Sequence, residues 1–69
     1  MSRDWFQQKR QEWISETLCI FGFLRREHIR KKFRISTQQA SADIAVFMKE
    51  HPDAMEYDRS AKQYKAIQP

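Results

Sequence analysis

Residues 33–44, Phe33-Arg-Ile-Ser-Thr-Gln-Gln-Ala-Ser-Ala-Asp-Ile44, leave this chain few folding options. Ser36 is a good helix N-cap, and Gln39 three residues later completes a capping-box pattern. Ile35, Ala40, Ile44 and Phe47 then recur on one helical face, which packs inward. Thr37, Gln38, Ser41 and Ala42 share the opposite face. That outer face is short, polar and uncharged, so it can approach base edges without repelling phosphate. A helix entered through a tight turn, with such a face, matches the turn and recognition helix of a helix-turn-helix.

The flanking segments supply a scaffold for it. The pattern predicts a first helix over about residues 4–20, capped by Asp4 with Gln7, with Phe6, Trp13, Ile14, Leu18 and Phe21 on its inner face. Gly22, the chain's single glycine, ends that helix. Phe23 and Leu24 form a very short strand or a turn. A second helix covers about 26–33 with Ile29 and Phe33 inward, and Arg34-Ile35-Ser36 is the turn. The third helix runs from Thr37 to about Glu50, where Pro52 stops it. Beyond it the period shortens: Met55 and Tyr57 alternate with Glu56 and Asp58, and Tyr64 and Ile67 follow a polar stretch. This is a small β-hairpin with roughly four residues in its loop, Tyr57 and Tyr64 facing each other across it and packing on the core. The fold class is therefore mainly α with a small β-hairpin, the winged helix-turn-helix order of three helices plus a wing. At 69 residues the whole chain, 1–69, is one domain.

Charge is segregated. Residues 25–34 carry a net +5, residues 37–58 a net −4, residues 59–69 a net +3, and the first 24 residues balance. Two basic blocks around an acidic segment imply a molecule with one side facing a polyanion. A solvated helix face is the bland alternative for the first block. No apolar run approaches the ~20 residues of a membrane span, and the N-terminus has no signal-peptide core. Cys19 is the only cysteine, so there is no internal disulfide and no zinc cluster; it is expected to be a buried or half-buried apolar residue. These features suit a protein of a reducing cytosol.

The residues quoted so far resemble a known family. Phe33, Ile35-Ser36, Gln39-Ala40-Ser41, Asp43-Ile44, Pro52, Tyr57-Asp58, Ser60, Lys62 and Tyr64 are similar to the N-terminal winged helix-turn-helix of bacterial transcription regulators that carry a downstream WYL domain. Among these, it resembles the repressors of phage-defence operons of the BREX and CBASS type. The resemblance covers roughly residues 22–65. It implies double-stranded DNA as the partner and a cytoplasmic, bacterial nucleoid-associated location. Two departures stand out. Similar sequences often have glycine where Arg34 stands, and a left-handed backbone there would cost an arginine roughly 1–2 kcal/mol. The turn therefore takes another geometry, or Arg34 recovers the cost on phosphate. The WYL domain is also absent; the starting Met and short tail favour a stand-alone protein over a fragment.

On this reading Thr37, Gln38, Gln39, Ser41 and Ala42 are the candidate base contacts, with Gln38 preferred because the capping box can occupy Gln39. Arg30, Lys31, Arg34 and Ser36 would hold phosphate near the turn, and Arg59 and Lys62 would reach phosphate or the minor groove from the wing. About five cationic contacts predict a log–log salt slope of roughly −4 to −5. Trp5 and Trp13 are the candidate interface of a homodimer on an inverted repeat. Asp43 is structural, paired with Arg26 or Arg30. The two histidines lack a third ligand, so no metal is expected; no cofactor, small-molecule ligand or membrane partner is evident.

The sequence is a poor candidate for an enzyme, lacking a nucleophile–base set, a phosphate-binding glycine loop or an inward carboxylate pair. The favoured function is a sequence-specific transcriptional regulator, a repressor by resemblance. An excisionase-like DNA-architectural factor and a winged-helix protein-interaction module are the alternatives. RNA binding is weakest, because no aromatic surface is interleaved with the basic residues.

Overall fold

The computed structural model describes residues 5–67. The chain runs α1 (Trp5–Phe21), β1 (Phe23–Leu24), α2 (Arg26–Phe33), α3 (Thr37–Glu50), β2 (Met55–Asp58) and β3 (Gln63–Ala66). The expected cap at Asp4 lies outside the described residues. Three helices and a wing are present, and the wing is a three-stranded antiparallel sheet in the order β1-β3-β2. β1 joins through Phe23 opposite Lys65 and Leu24 opposite Tyr64. The Ala66 amide donates to the Gly22 carbonyl at 2.8 Å, which anchors the sheet beside the end of α1.

Gly22 closes α1 with its amide on the Leu18 carbonyl at 2.9 Å and φ of 81°. A Cβ there would meet nothing within 4 Å, so the requirement for glycine is purely conformational. α2 begins with one half of a capping box, supplied by the His28 side chain and absent from the sequence reading. The Arg25 amide donates to His28 Nδ1 at 3.3 Å, and the His28 amide donates to the Arg25 carbonyl at 2.9 Å. α3 begins on Ser36, whose Oγ accepts from the Gln39 amide at 3.0 Å. The His51 amide on the Phe47 carbonyl ends it, and Pro52 follows.

Ile14, Leu18, Leu24, Ile29, Ala40, Ile44, Phe47 and Met55 form the core. Each large aliphatic chain among them contributes about 1.5–3 kcal/mol on burial. Trp13, Phe33, Ile35 and Tyr64 pack around it, half buried. The Trp13 and Phe33 rings meet edge to face at 5.8 Å between centroids.

Several expectations are corrected. Phe6 and Phe21 do not face the core; both are 68% exposed. They lie towards the ends of α1, beyond the α3 surface that covers its middle, and Gln11 and Thr17 are buried in the inner arc instead. Cys19 is exposed rather than buried. Tyr57 and Tyr64 do meet across the hairpin, 4.9 Å between centroids, but only Tyr64 packs on the core, because Tyr57 remains 48% exposed.

Candidate nucleic-acid interface

α3 is fixed from beneath by a buried polar cluster. Asp43 is 1% exposed, and its carboxylate accepts from Arg10 Nε at 2.6 Å and from Gln39 Nε2 at 3.1 Å. Gln11 Nε2 donates to the Asp43 carbonyl at 2.8 Å. The partner of Asp43 is thus Arg10 on α1, and not Arg26 or Arg30. Asp43 points under α3 towards α1, whereas Arg26 lies on the outer side and donates from Nη1 to Ser41 Oγ at 3.1 Å. A carboxylate in the recognition segment is thereby removed from the outer surface and used to hold two helices together.

The same cluster sorts the candidate base-reading side chains. Thr37, Gln38 and Ala42 are exposed on the outer face. Ser41 is half buried, its hydroxyl taken by Arg26. Gln39 is half buried too, with its amide spent on Asp43 and not on the Ser36 side of the capping box. Of the two, Gln38 keeps an outward amide with no partner among the described residues.

Around that face stand cations held in unusual ways. Arg34 keeps the left-handed backbone, φ 55° and ψ 48°, at the end of α2. Its turn is closed by the Ile35 amide on the Arg30 carbonyl at 3.1 Å. Lys62, the last residue of the wing loop, has φ 55° as well. Among the described residues these are the two non-glycine positions with positive φ, and both carry a positive charge. The wing turn that delivers Lys62 is built on Asp58, whose Oδ1 accepts from the Ser60 amide at 3.0 Å and the Ala61 amide at 3.2 Å. A second acid of the negative segment is thus absorbed into local structure.

Arg30, Arg34, Arg59 and Lys62 form no ion pair among the described residues; Lys31 makes one loose contact with Glu27 at 3.9 Å. Between α2, the start of α3 and the wing lies an open groove of about 430 Å³ lined by Arg25, Arg26, Glu27, Arg30, Thr37, Tyr57 and Lys62. The sequence reading had not singled out Arg25 and Arg26 as site residues. Their place in the same basic block was the available signal, and only the docking of α2 against the wing shows that they line the groove. No described helix is long and apolar enough to cross a membrane. Among the described residues no group of three His, Cys, Asp or Glu side chains could hold a metal ion.

Trp5 and Trp13 sit differently on α1. Trp5 is 65% exposed, its ring edge to face with Phe6 at 5.1 Å and beneath Lys9 Nζ at 5.4 Å. Trp13 is half buried against Phe33, so only part of its ring is open.

Comparison with known proteins agrees with this architecture. Residues 7–68 match the BrxR transcriptional regulator winged helix-turn-helix domain. The chain is 37% identical over 62 residues to a DNA-binding transcriptional repressor CapW of Escherichia coli strain KTE188, covering 90% of this chain and 21% of that protein. It is 36% identical over 64 residues to the CapW repressor of Pseudomonas aeruginosa, covering 93% of this chain and 21% of that one. The chain thus spans about a fifth of the length of these relatives. It belongs to the BrxR winged helix-turn-helix domain family.

Proposed function

We propose that this winged helix-turn-helix domain is a sequence-specific double-stranded DNA-binding module of a transcriptional repressor, acting in the bacterial cytoplasm and having no catalytic activity. The observation that carries the reading is the exposed, uncharged face of α3 standing among Arg30, Arg34, Arg59 and Lys62, which have no carboxylate partner among the described residues. α3 enters the major groove by its N-terminal end. Gln38 reads an adenine edge through its free amide, Thr37 and Ala42 contact neighbouring bases, and Ala42 suits a thymine methyl. Ser41 and Gln39 position the helix more than they read from it. Arg30, Lys31, Arg34 and the Ser36 end of α3 hold phosphate beside the turn, while Arg59 and Lys62 do so from the wing. The whole of residues 1–69 acts as one domain, and two copies bind an inverted repeat through the α1 side that carries Trp5 and Trp13. The names of the CapW relatives favour repression over the architectural and protein-interaction alternatives.

The test is fluorescence anisotropy with the DNA upstream of the protein's own gene, against a scrambled duplex, across a salt series. Selective binding with a log–log slope of roughly −4 to −5 per protomer supports the reading. Equal, salt-sensitive binding to both duplexes replaces it with an architectural role. No binding at low salt rejects it.

A further inference from the structure

The outer side of α1 carries a charge pattern beyond the Trp5 and Trp13 used in the proposed two-copy binding. Trp5, Lys9, Glu16 and Ile20 recur at spacings of four, seven and four, which places them within about 60° of one helical arc. All four are exposed; Trp5 and Ile20 are 65% and 69% exposed. The order along the stripe is apolar, positive, negative, apolar. It is symmetric in position and antisymmetric in charge about the midpoint between Glu12 and Trp13. A face of this kind is complementary to itself turned end for end.

Its charges are also poorly used within one copy. Glu16 makes no ion pair among the described residues. Lys9 makes a loose exposed contact with Glu12 at 3.5 Å and lies over the Trp5 ring.

From the charge complementarity of this stripe we infer that α1 pairs antiparallel with α1 of a second copy, in the register that sets Lys9 against Glu16. This rests on the proposed two-copy binding and assigns it a geometry. The pairing forms the Lys9–Glu16 contact twice. It sets Trp5 and Phe6 of each copy against Ile20 of the other, and the exposed edges of the two Trp13 rings, about 50° off the stripe's centre, approach each other on one flank. Glu12 lies on the other flank, equally far off the centre, beside its own Gln8 at 3.2 Å and Lys9 at 3.5 Å. Cys19 of the two copies stands far apart along the pair, about 20 Å at the helical rise, so the contact needs no disulfide.

The register is tested by charge exchange on exposed positions. Lys9→Glu and Glu16→Lys are made singly and together, and circular dichroism checks that each variant folds. Sedimentation is followed up to about 1 mM protein, where even millimolar association registers. The wild type is expected to dimerise, and each single variant to do so about tenfold more weakly or worse, since attraction becomes repulsion at two symmetric contacts. The double variant is expected to recover the wild-type constant. An equimolar mixture of the two single variants is expected to form a mixed dimer, because every contact is then again between opposite charges. A monomeric wild type overturns the inference, as do single variants that dimerise normally or a double variant and mixture that fail to recover. Binding to a DNA half-site is measured on the same samples. DNA binding by a strictly monomeric wild type would leave the DNA reading standing while this inference falls. Charge-dependent dimerisation without DNA binding would do the reverse.

Discussion

α1 and α3 each bury one face in the same core and leave the other open, yet the open faces differ in kind. That of α3 offers Thr37, Gln38 and Ala42, small or uncharged, with basic side chains on both sides. That of α1 offers Trp5, Phe6 and Ile20, large and apolar, with charges of both signs between them. A polar, flat, cation-flanked helix suits a hydrated polyanion whose base edges must be approached closely. An aromatic stripe suits another protein surface, where covering apolar area is favourable. The two faces therefore call for different partners, and Arg10–Asp43 is the strut that joins their helices.

Breaking that strut should have the largest effect and should erase the contrast. Asp43→Ala leaves Arg10 unpaired and frees Gln39; a loss of about 3 kcal/mol of stability is expected in urea unfolding, together with weakened DNA binding. Replacing both partners, Arg10→Met with Asp43→Leu, should cost clearly less, because no charge is left stranded. If the double replacement is as damaging as Asp43→Ala, the pair is not acting as described.

The next effect sharpens the contrast by touching one face alone. Gln38→Ala should cost about 1–3 kcal/mol in binding to cognate DNA, read by anisotropy, while thermal unfolding is unchanged. Gln39→Ala should instead lower stability, since its amide serves Asp43.

These outcomes divide along the line between what local pattern reveals and what it does not. The bounds of α2 and α3 are legible because their signals are local: Ser36 caps, Pro52 terminates, and Ile29, Ala40 and Ile44 keep the helical period. β1 is only two residues long and has no period of its own; its pairing with β3 depends on residues some forty positions away. The Arg10–Asp43 pair spans 33 positions, so nothing nearby distinguished Arg10 from Arg26 as the partner. Phe6 and Phe21 satisfied the period of α1 but lie where α3 no longer covers it. Gln38 and Gln39 are adjacent and chemically identical, and only the buried carboxylate under α3, which binds Gln39 and not Gln38, tells them apart.

A smaller effect comes from the strained cation at the turn. Arg34→Gly removes a left-handed penalty of about 1–2 kcal/mol, partly offset by glycine's greater unfolded-state entropy. Thermal stability should stay level or rise slightly, while DNA affinity falls and the salt slope becomes shallower by about one. A stabilised protein with undiminished affinity would show that the arginine serves neither fold nor phosphate. The smallest effect is expected from Trp5→Ala, within about 0.5 kcal/mol in unfolding and neutral for binding to a half-site in the same assay. A large loss of half-site binding would place DNA on the α1 side and collapse the distinction between the faces.

The most direct test of the division of labour is Gln38→Ala measured on cognate and scrambled duplexes across the same salt series. The expected result is that discrimination between the two collapses while the salt slope stays that of the wild type, since the proposed reading assigns the bases to α3 and the phosphates to its neighbours. Retained discrimination, or a slope that changes with this uncharged side chain, would contradict the account.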